Sequence, residues 1–307
     1  MTMSQLTELS RRVRAGFDAY AAGDALGVPW EGSRPAAIDL EAIDALPRRG
    51  DWPPGATSDD TAQTLLLASY LADLGAVVDE RAFLERLAAA LPAIRGAGPS
   101  TLAAVDRFQR TGALHAEGGS TNGAVMRALP IGWATADPGR RRDLTTGLSR
   151  TTHGDPRAVG AACVVSAMAS VAVEASPLAD VVRAATEELA WLRTENGSAA
   201  PVIDAVEHAA GGAWVPPADG VTLDAVETAA AVVHVVHHTD RAHLDLADGL
   251  RFAVSLGGDT DTVAAIAGGI LGCRHREADL PWRSRMALPD DATLDALSDA
   301  LAALRSG

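Results

Sequence analysis

No stretch of this chain alternates apolar and polar residues as a half-buried strand must. Val, Ile, Phe and Tyr nowhere gather into period-two runs. Small apolar residues instead come in long blocks, at 62–71, 157–174 and 263–271. Alanine leads the helix-propensity scale, small side chains let helices approach closely, and aromatics make up only 4% of the chain. The fold class that follows is all-α. With 48% hydrophobic and 21% charged residues the chain is globular rather than disordered. Its 307 residues permit one or two domains. No repeat and no low-complexity linker divides them, so a compact single domain over 1–307 is expected.

Periodicity and capping signals predict helices over 6–26, 58–74, 79–91, 100–111, 124–134, 157–174, 177–192, 201–210, 223–238, 244–254, 263–271 and 294–304. Pro130 is expected to kink the fifth of these. The segment 35–54 reads as a long irregular connection rich in Pro and Gly, and loops between helices are expected to gather on one face.

A formal net charge of −14 argues against a general basic surface for nucleic acid. An anionic ligand would need a local positive site: a metal, an Arg or a helix N-terminus. Cys163 and Cys273 lack CxxC spacing, which fits a reducing, cytoplasmic setting. The segment 1–14 lacks a signal-type apolar stretch, and the apolar runs fall short of the ~20 residues that cross a bilayer. No membrane segment is expected.

The chemistry concentrates at two acidic helix starts about two hundred residues apart. Ser58-Asp59-Asp60-Thr61 precedes one apolar run, and Gly257-Gly258-Asp259-Thr260-Asp261-Thr262 precedes another. Alone, the first is an ordinary N-cap with first-turn acids suited to the helix dipole. The second exceeds what capping needs, since one acceptor caps a helix and here two carboxylates follow a Gly-Gly turn. Together they supply only oxygen donors, which suits a hard divalent cation, Mg²⁺ or Mn²⁺, or a pair of them. The 12-residue calcium-loop signature is absent.

Other segments admit plainer readings. Gly119, Ser120, Thr121, Asn122 and Gly123 precede a predicted helix, whose amides and positive end would favour a pyrophosphate; a simple turn is the alternative. His153 either contacts a ligand or bonds to backbone at a helix entry. Arg127 either adds charge to the glycine loop or pairs with a surface acid. His234, His237 and His238 lack the HExxH pattern and read as structural or surface residues. Trp30 and Trp214 read as core residues. Asp24 either supports the metal residues from behind or bonds backbone at a helix end.

In order, Gly23-Asp24-Ala25-Leu26-Gly27 with Glu31, Ser58-Asp59-Asp60-Thr61, Asn122-Gly123-Ala124-Val125-Met126-Arg127, Thr152-His153 and Gly257-Gly258-Asp259-Thr260-Asp261-Thr262 resemble the ADP-ribosylglycohydrolase family. That family includes the dinitrogenase reductase-activating glycohydrolases and the eukaryotic ADP-ribosylhydrolases. The resemblance runs over about 10–275 and implies an all-α fold with a two-metal centre of Mg²⁺ or Mn²⁺. It implies Ser58, Asp59, Asp60, Asp259, Asp261 and Thr262 as metal ligands. It implies Glu31 as the acidic residue on a mobile loop beside them, and the loops holding Gly98 and 119–123, with His153, as the surroundings of ADP-ribose. The chain departs from the family at Ser58, where Thr is usual, and at Thr121, where Gly is common.

The expected activity is metal-dependent hydrolysis of the bond between C1″ of ADP-ribose and an acceptor, arginine first, on a protein or a small molecule. Glu31 is the first choice for proton handling or gating, with Asp60 or Asp259 able to share that task. Serine-linked ADP-ribose, a small N-glycoside, a non-catalytic ADP-ribose binder and a two-metal phosphatase are the alternatives.

Overall fold

The computed structural model describes residues 2–195, 200–288 and 290–307. Among these, extended pairing is limited to isolated bridges and the remaining regular structure is helical.

The core is organised around helices whose faces are all apolar. Helix α1 (Met3–Gly27) starts at Thr2, which forms a capping box with Gln5. From Ala15 onward every residue of α1 is buried. Its main partner, α13 (Thr260–Gly272), is buried along its whole length, as a helix without a polar face must be. The two meet backbone to backbone. A Cβ on Gly23 would lie 2.0 Å from the Ala264 carbonyl oxygen, and one on Gly27 would lie 2.3 Å from the Asp261 Cα. This contact fixes the start of α13 against the end of α1, and Thr260 Oγ1 donates to the Gly27 carbonyl at 2.8 Å.

Between these lie α2 (Asp59–Leu74), α3 (Glu80–Ala90) and α4 (Pro99–Thr111), then two short helices, α5 (Gly123–Met126) and α6 (Leu129–Ala134). Next come α7 (Pro138–Arg150), the small-residue core helix α8 (Pro156–Ala172), α9 (Leu178–Glu195), α10 (Ala200–Ala210), α11 (Ala225–Ala242) and α12 (Leu246–Ser255). Helix α14 (Asp291–Ser306) packs on α1, α6 and α2.

Three differences from the sequence reading have physical causes. The expected helix 124–134 is split at Arg127–Ala128, and Pro130 sits in the first turn of α6, where its missing N–H costs nothing. Pro130 therefore starts a helix rather than kinking one. Helix α7 was not expected: Leu144 and Leu148 are its only large aliphatic residues, too few for a period to register. Its start signal, Asp137 capping the Arg140 amide at 2.7 Å with Pro138 following, was nonetheless present. Helix α4 begins at Pro99 with Gly98 at the cap position, earlier than the Ser100 cap predicted.

Trp133 and Trp282 are fully buried, and Trp133 meets Phe17 edge-on at 4.9 Å. Trp214, His234, Phe252 and His238 form an aromatic stack away from the residues discussed below, in keeping with a structural role for these histidines. Both cysteines are buried and free. No helix among the described residues is long and apolar enough to cross a membrane.

Candidate active site

The loop leading into α13 threads between two other segments, and glycine makes that passage possible. Gly257 and Gly258 have φ of 70° and 74°, the left-handed region where a side chain is strained. Gly258 donates to the Ser33 carbonyl and accepts from the Gly32 amide, both at 2.7 Å, while the Asp259 amide donates to Val221 at 2.8 Å. Glu31 and Asp259 are thereby held on adjacent backbones.

Asp259 occupies the cap position of α13 but makes no side-chain cap bond. Its carboxylate accepts instead from the Asn122 amide group, which also donates to Thr228 at 2.8 Å. The doubled acidic set is thus not consumed by capping.

At the first acidic start, Ser58 caps α2: its Oγ accepts from the Asp60 amide at 3.1 Å and donates to Asp60 Oδ2 at 2.9 Å. Asp24, in the last turn of α1, accepts from the Ser58 amide at 2.9 Å, the Thr61 amide at 3.1 Å and the Thr61 hydroxyl at 2.6 Å. Asp24 therefore ties α1 to the start of α2 from behind the cleft. The two acidic starts meet directly: Thr262 Oγ1 donates to Asp60 Oδ2 at 3.3 Å across 202 positions of sequence.

These groups floor a cleft of about 540 Å³. Glu31, Ser58, Asp59, Asp60, Asp259, Asp261 and Thr262 all line it, as do Gly98, Thr121, Asn122, Gly123 and His153. Gly119 and Ser120 do not. Gly119 is packed on Thr152 and His153, and the Ser120 carbonyl accepts from Ala225 at 3.0 Å. The four-residue α5 is too short to present the strong positive end expected of a longer helix. A better donor end belongs to α4: Gly98 offers no side-chain cap, and Ser100 and Thr101 lie in the first turn where amides lack intrahelical partners.

The carboxylates repel one another and the interior. Burial pushes Asp24 and Asp259 up to about 6, and burial with the neighbouring Asp24 charge pushes Asp59 up to about 7. Asp60 and Asp261 lie well above the usual carboxylate range, first through burial and then through the surrounding aspartates.

As placed, no group of three or more His, Cys, Asp or Glu side chains among the described residues already encloses a metal position. The donor chemistry nevertheless fits a hard cation. Hydroxyl and carboxylate oxygens alternate on one floor, and Asp60 Oδ1 is buried with no hydrogen-bond partner.

One wall of the cleft is a hydrogen-bonded chain. Ser100 Oγ meets Thr121 Oγ1 at 3.1 Å, and Thr121 Oγ1 meets His153 Nε2 at 3.0 Å. His153 Nδ1 meets Thr152 Oγ1 at 2.8 Å, and Arg127 donates to Thr152 and, at 3.1 Å, to Gln63 Oε1. Gln63 Nε2 then donates to Asp59 Oδ2 at 2.7 Å. Burial and the Arg127 charge push His153 down to about 3, so its imidazole is neutral. It lines the cleft as a hydrogen-bonding group rather than a cation. Thr121, the departure from the family's glycine, supplies the bridge between Ser100 and His153.

Arg127 is 2% exposed and does not line the cleft. Among the described residues it pairs with no surface acid, contrary to one reading of the sequence. Sequence reasoning also missed Gln63 and Trp52. A glutamine inside a helix carries no signal. Trp52 sits in the Pro- and Gly-rich connection just before the first acidic start, which was a usable one; it lines the cleft under the Arg95 guanidinium at 5.2 Å. Trp30 packs against the core and does not line the cleft.

Comparison with known proteins agrees with this fold. The family model for ADP-ribosylglycohydrolase matches residues 5–307. The ADP-ribosyl-[dinitrogen reductase] glycohydrolase of Rhodospirillum rubrum is 27% identical over 304 residues, 95% of this chain and 96% of that protein. An uncharacterized protein of Archaeoglobus fulgidus is 29% identical over 296 residues, 92% of each chain. A solved ADP-ribosylglycohydrolase-related protein complex superposes with a TM-score of 0.79 at 28% identity, covering 97% of this chain and 99% of its own. The fold, the order of its motifs and the match along nearly its whole length place this chain in the ADP-ribosylglycohydrolase family.

Proposed function

We propose that this protein is a metal-dependent hydrolase that cleaves the bond between C1″ of ADP-ribose and an acceptor, with a modified arginine as the leading substrate. The observation that carries the reading is the Thr262–Asp60 contact, which joins two distant acidic helix starts on one cleft floor. The R. rubrum relative, named for acting on ADP-ribosyl-dinitrogen reductase, supports an ADP-ribosylated protein as the substrate class.

Ser58, Asp59, Asp60, Asp259, Asp261 and Thr262 would hold two Mg²⁺ or Mn²⁺ ions. When bound, these supply positive charge and Lewis acidity beneath the ribose. The chain's own residues do the rest. Asn122 orients the Asp259 carboxylate, and Gln63 orients that of Asp59. The first-turn amides of α4, with Ser100, Thr121 and His153, face the pyrophosphate end of the ligand. Glu31 stands at the mouth beside Asp259 and accepts the proton of the water that adds to C1″. As the C1″–N bond breaks, the acceptor guanidine leaves and takes up that proton. The free, buried cysteines fit a cytoplasmic location.

Incubation with mono-ADP-ribosylated arginine and Mn²⁺ or Mg²⁺ tests the reading. Release of ADP-ribose, suppressed by EDTA, is expected. Cleavage of serine-linked ADP-ribose alone would reassign the acceptor, and release of inorganic phosphate would support a phosphatase instead.

A further inference from the structure

Glu31 is not alone at the mouth of the cleft. The Arg49 guanidinium donates to its carboxylate, and both side chains are about one-third exposed, at 34% for Glu31 and 35% for Arg49. Six carboxylates line the cleft, from Glu31, Asp51, Asp59, Asp60, Asp259 and Asp261. Arg49 is the only arginine or lysine among the described residues that line it. The group held against Glu31 is thus the same chemical group that an ADP-ribosylated arginine would bring.

The two partners are not equally anchored. Glu31 follows the turn Val28–Trp30, and its neighbours Gly32 and Ser33 are bonded to Gly258 on both sides at 2.7 Å. Arg49 rides on an exposed turn closed by the Trp52 amide on the Arg49 carbonyl at 2.9 Å, with Gly50 at φ 55°. That turn is the apex of a connection anchored on either side. Ile43 and Leu46 are buried before it, and the Gly55 carbonyl accepts from Ala287 at 2.9 Å after it. The contact is through one guanidinium nitrogen, and a half-exposed pair of this kind is weak. When a competitor arrives, Arg49 is the partner that gives way.

We propose that Arg49 is a displaceable internal guanidinium that sets this enzyme's affinity for guanidinium acceptors: it holds Glu31 until the acceptor arginine replaces it. The proposal rests on the arginine reading of the cleft and assigns it a specificity residue. Its consequence is inverted from that of an ordinary binding residue, since removing Arg49 tightens the acceptor side.

The test uses the full-length protein loaded with Mn²⁺ and agmatine as the guanidinium probe, measured by calorimetry so that binding is read without turnover. Agmatine should bind Arg49→Ala and Arg49→Gln about twofold to fivefold more tightly than the parent protein. The gain should vanish in the Arg49→Ala/Glu31→Gln double variant, which separates a site at Glu31 from a general rise in negative potential. In parallel, the KM for ADP-ribosylarginine should fall in Arg49→Ala while that for ADP-ribosylserine moves less than about twofold. Unchanged or weaker agmatine binding in both single variants, or a gain that survives loss of the Glu31 charge, overturns the proposal. Cleavage of ADP-ribosylarginine by the parent protein is scored separately: its absence sinks the arginine reading, whereas agmatine binding decides the role of Arg49.

Discussion

Asp60 carries the sharpest contradiction in the molecule. One of its oxygens accepts from Ser58 and Thr262, and the other is buried with no partner. A half-satisfied buried carboxylate destabilises the chain that holds it unless a cation completes it. Asp60→Asn keeps the shape and removes the charge. In EDTA at pH 7.5 the variant should melt roughly 1–2 °C higher than the parent, the shift expected for about 1 kcal/mol in a chain of 307 residues. It should also lose most of the Mn²⁺-induced rise in Tm, and kcat/KM should fall about a hundredfold or more. Differential scanning fluorimetry with and without Mn²⁺ checks this; a variant less stable in EDTA yet equally responsive to Mn²⁺ would show that this carboxylate holds no cation. The same residue marks how far single positions were legible. Asp259 and Asp261 stood out because two carboxylates after a Gly-Gly turn exceed what a helix cap needs, and Asp59 and Asp60 only when taken together with them. Gln63 did not, because its role depends on Arg127 and Asp59, partners that only the fold brings near.

At the scale of elements, the decisive contact is that between α1 and α13. Gly23 accepts the Ala264 carbonyl where a methyl group would stand, so the two helices are spaced by backbone alone. Gly23→Ala must push them apart, and the expected cost is about 3 kcal/mol, at the upper end of overpacking effects, because the opposing atom is backbone and cannot rotate away. Urea unfolding measures it. Mn²⁺ affinity should weaken in the same variant, since α13 carries Asp261 and Thr262 while α1 carries Asp24. Helices of this kind were readable from sequence because their apolar residues are continuous. Helix α7 was hidden because its buried face carries only two large aliphatic residues, Leu144 and Leu148, beside the polar Arg141, Thr145 and Ser149, and the break between α5 and α6 was misplaced because Pro130 can bend a helix or begin one.

At the scale of the whole molecule, the acidic cluster makes stability depend on pH in an uncommon direction. Asp24, Asp59 and Asp259 bind protons more tightly folded than unfolded, with folded values of about 6, 7 and 6 against an ordinary 3.8. Their contribution is fully present below about pH 4 and is lost as pH rises through 6–7. His153 works the other way: its value falls from 6.5 to about 3, so its contribution is present above pH 6.5 and lost as pH falls. Three carboxylates outweigh one imidazole, so metal-free protein should melt at lower temperature at pH 7.5 than at pH 5. Mn²⁺ at a hundredfold excess over its Kd adds about 2.7 kcal/mol, a rise of roughly 4 °C, and should do so at pH 7.5 far more than at pH 5, where protons compete. Thermal melts at both pH values with EDTA or Mn²⁺ check the sign; a metal-free protein that grows more stable toward neutrality would contradict it. The seam without side chains between the first and thirteenth helices has a last consequence. At Gly23 and Gly27 it fixes the carboxylate floor of the cleft through main-chain contact, while Glu31, Arg49, Asp51 and Trp52 reach the cleft from the irregular connection between the first and second helices. Under the proposed function, substitutions confined to that connection should alter which acceptor is released and leave the floor untouched.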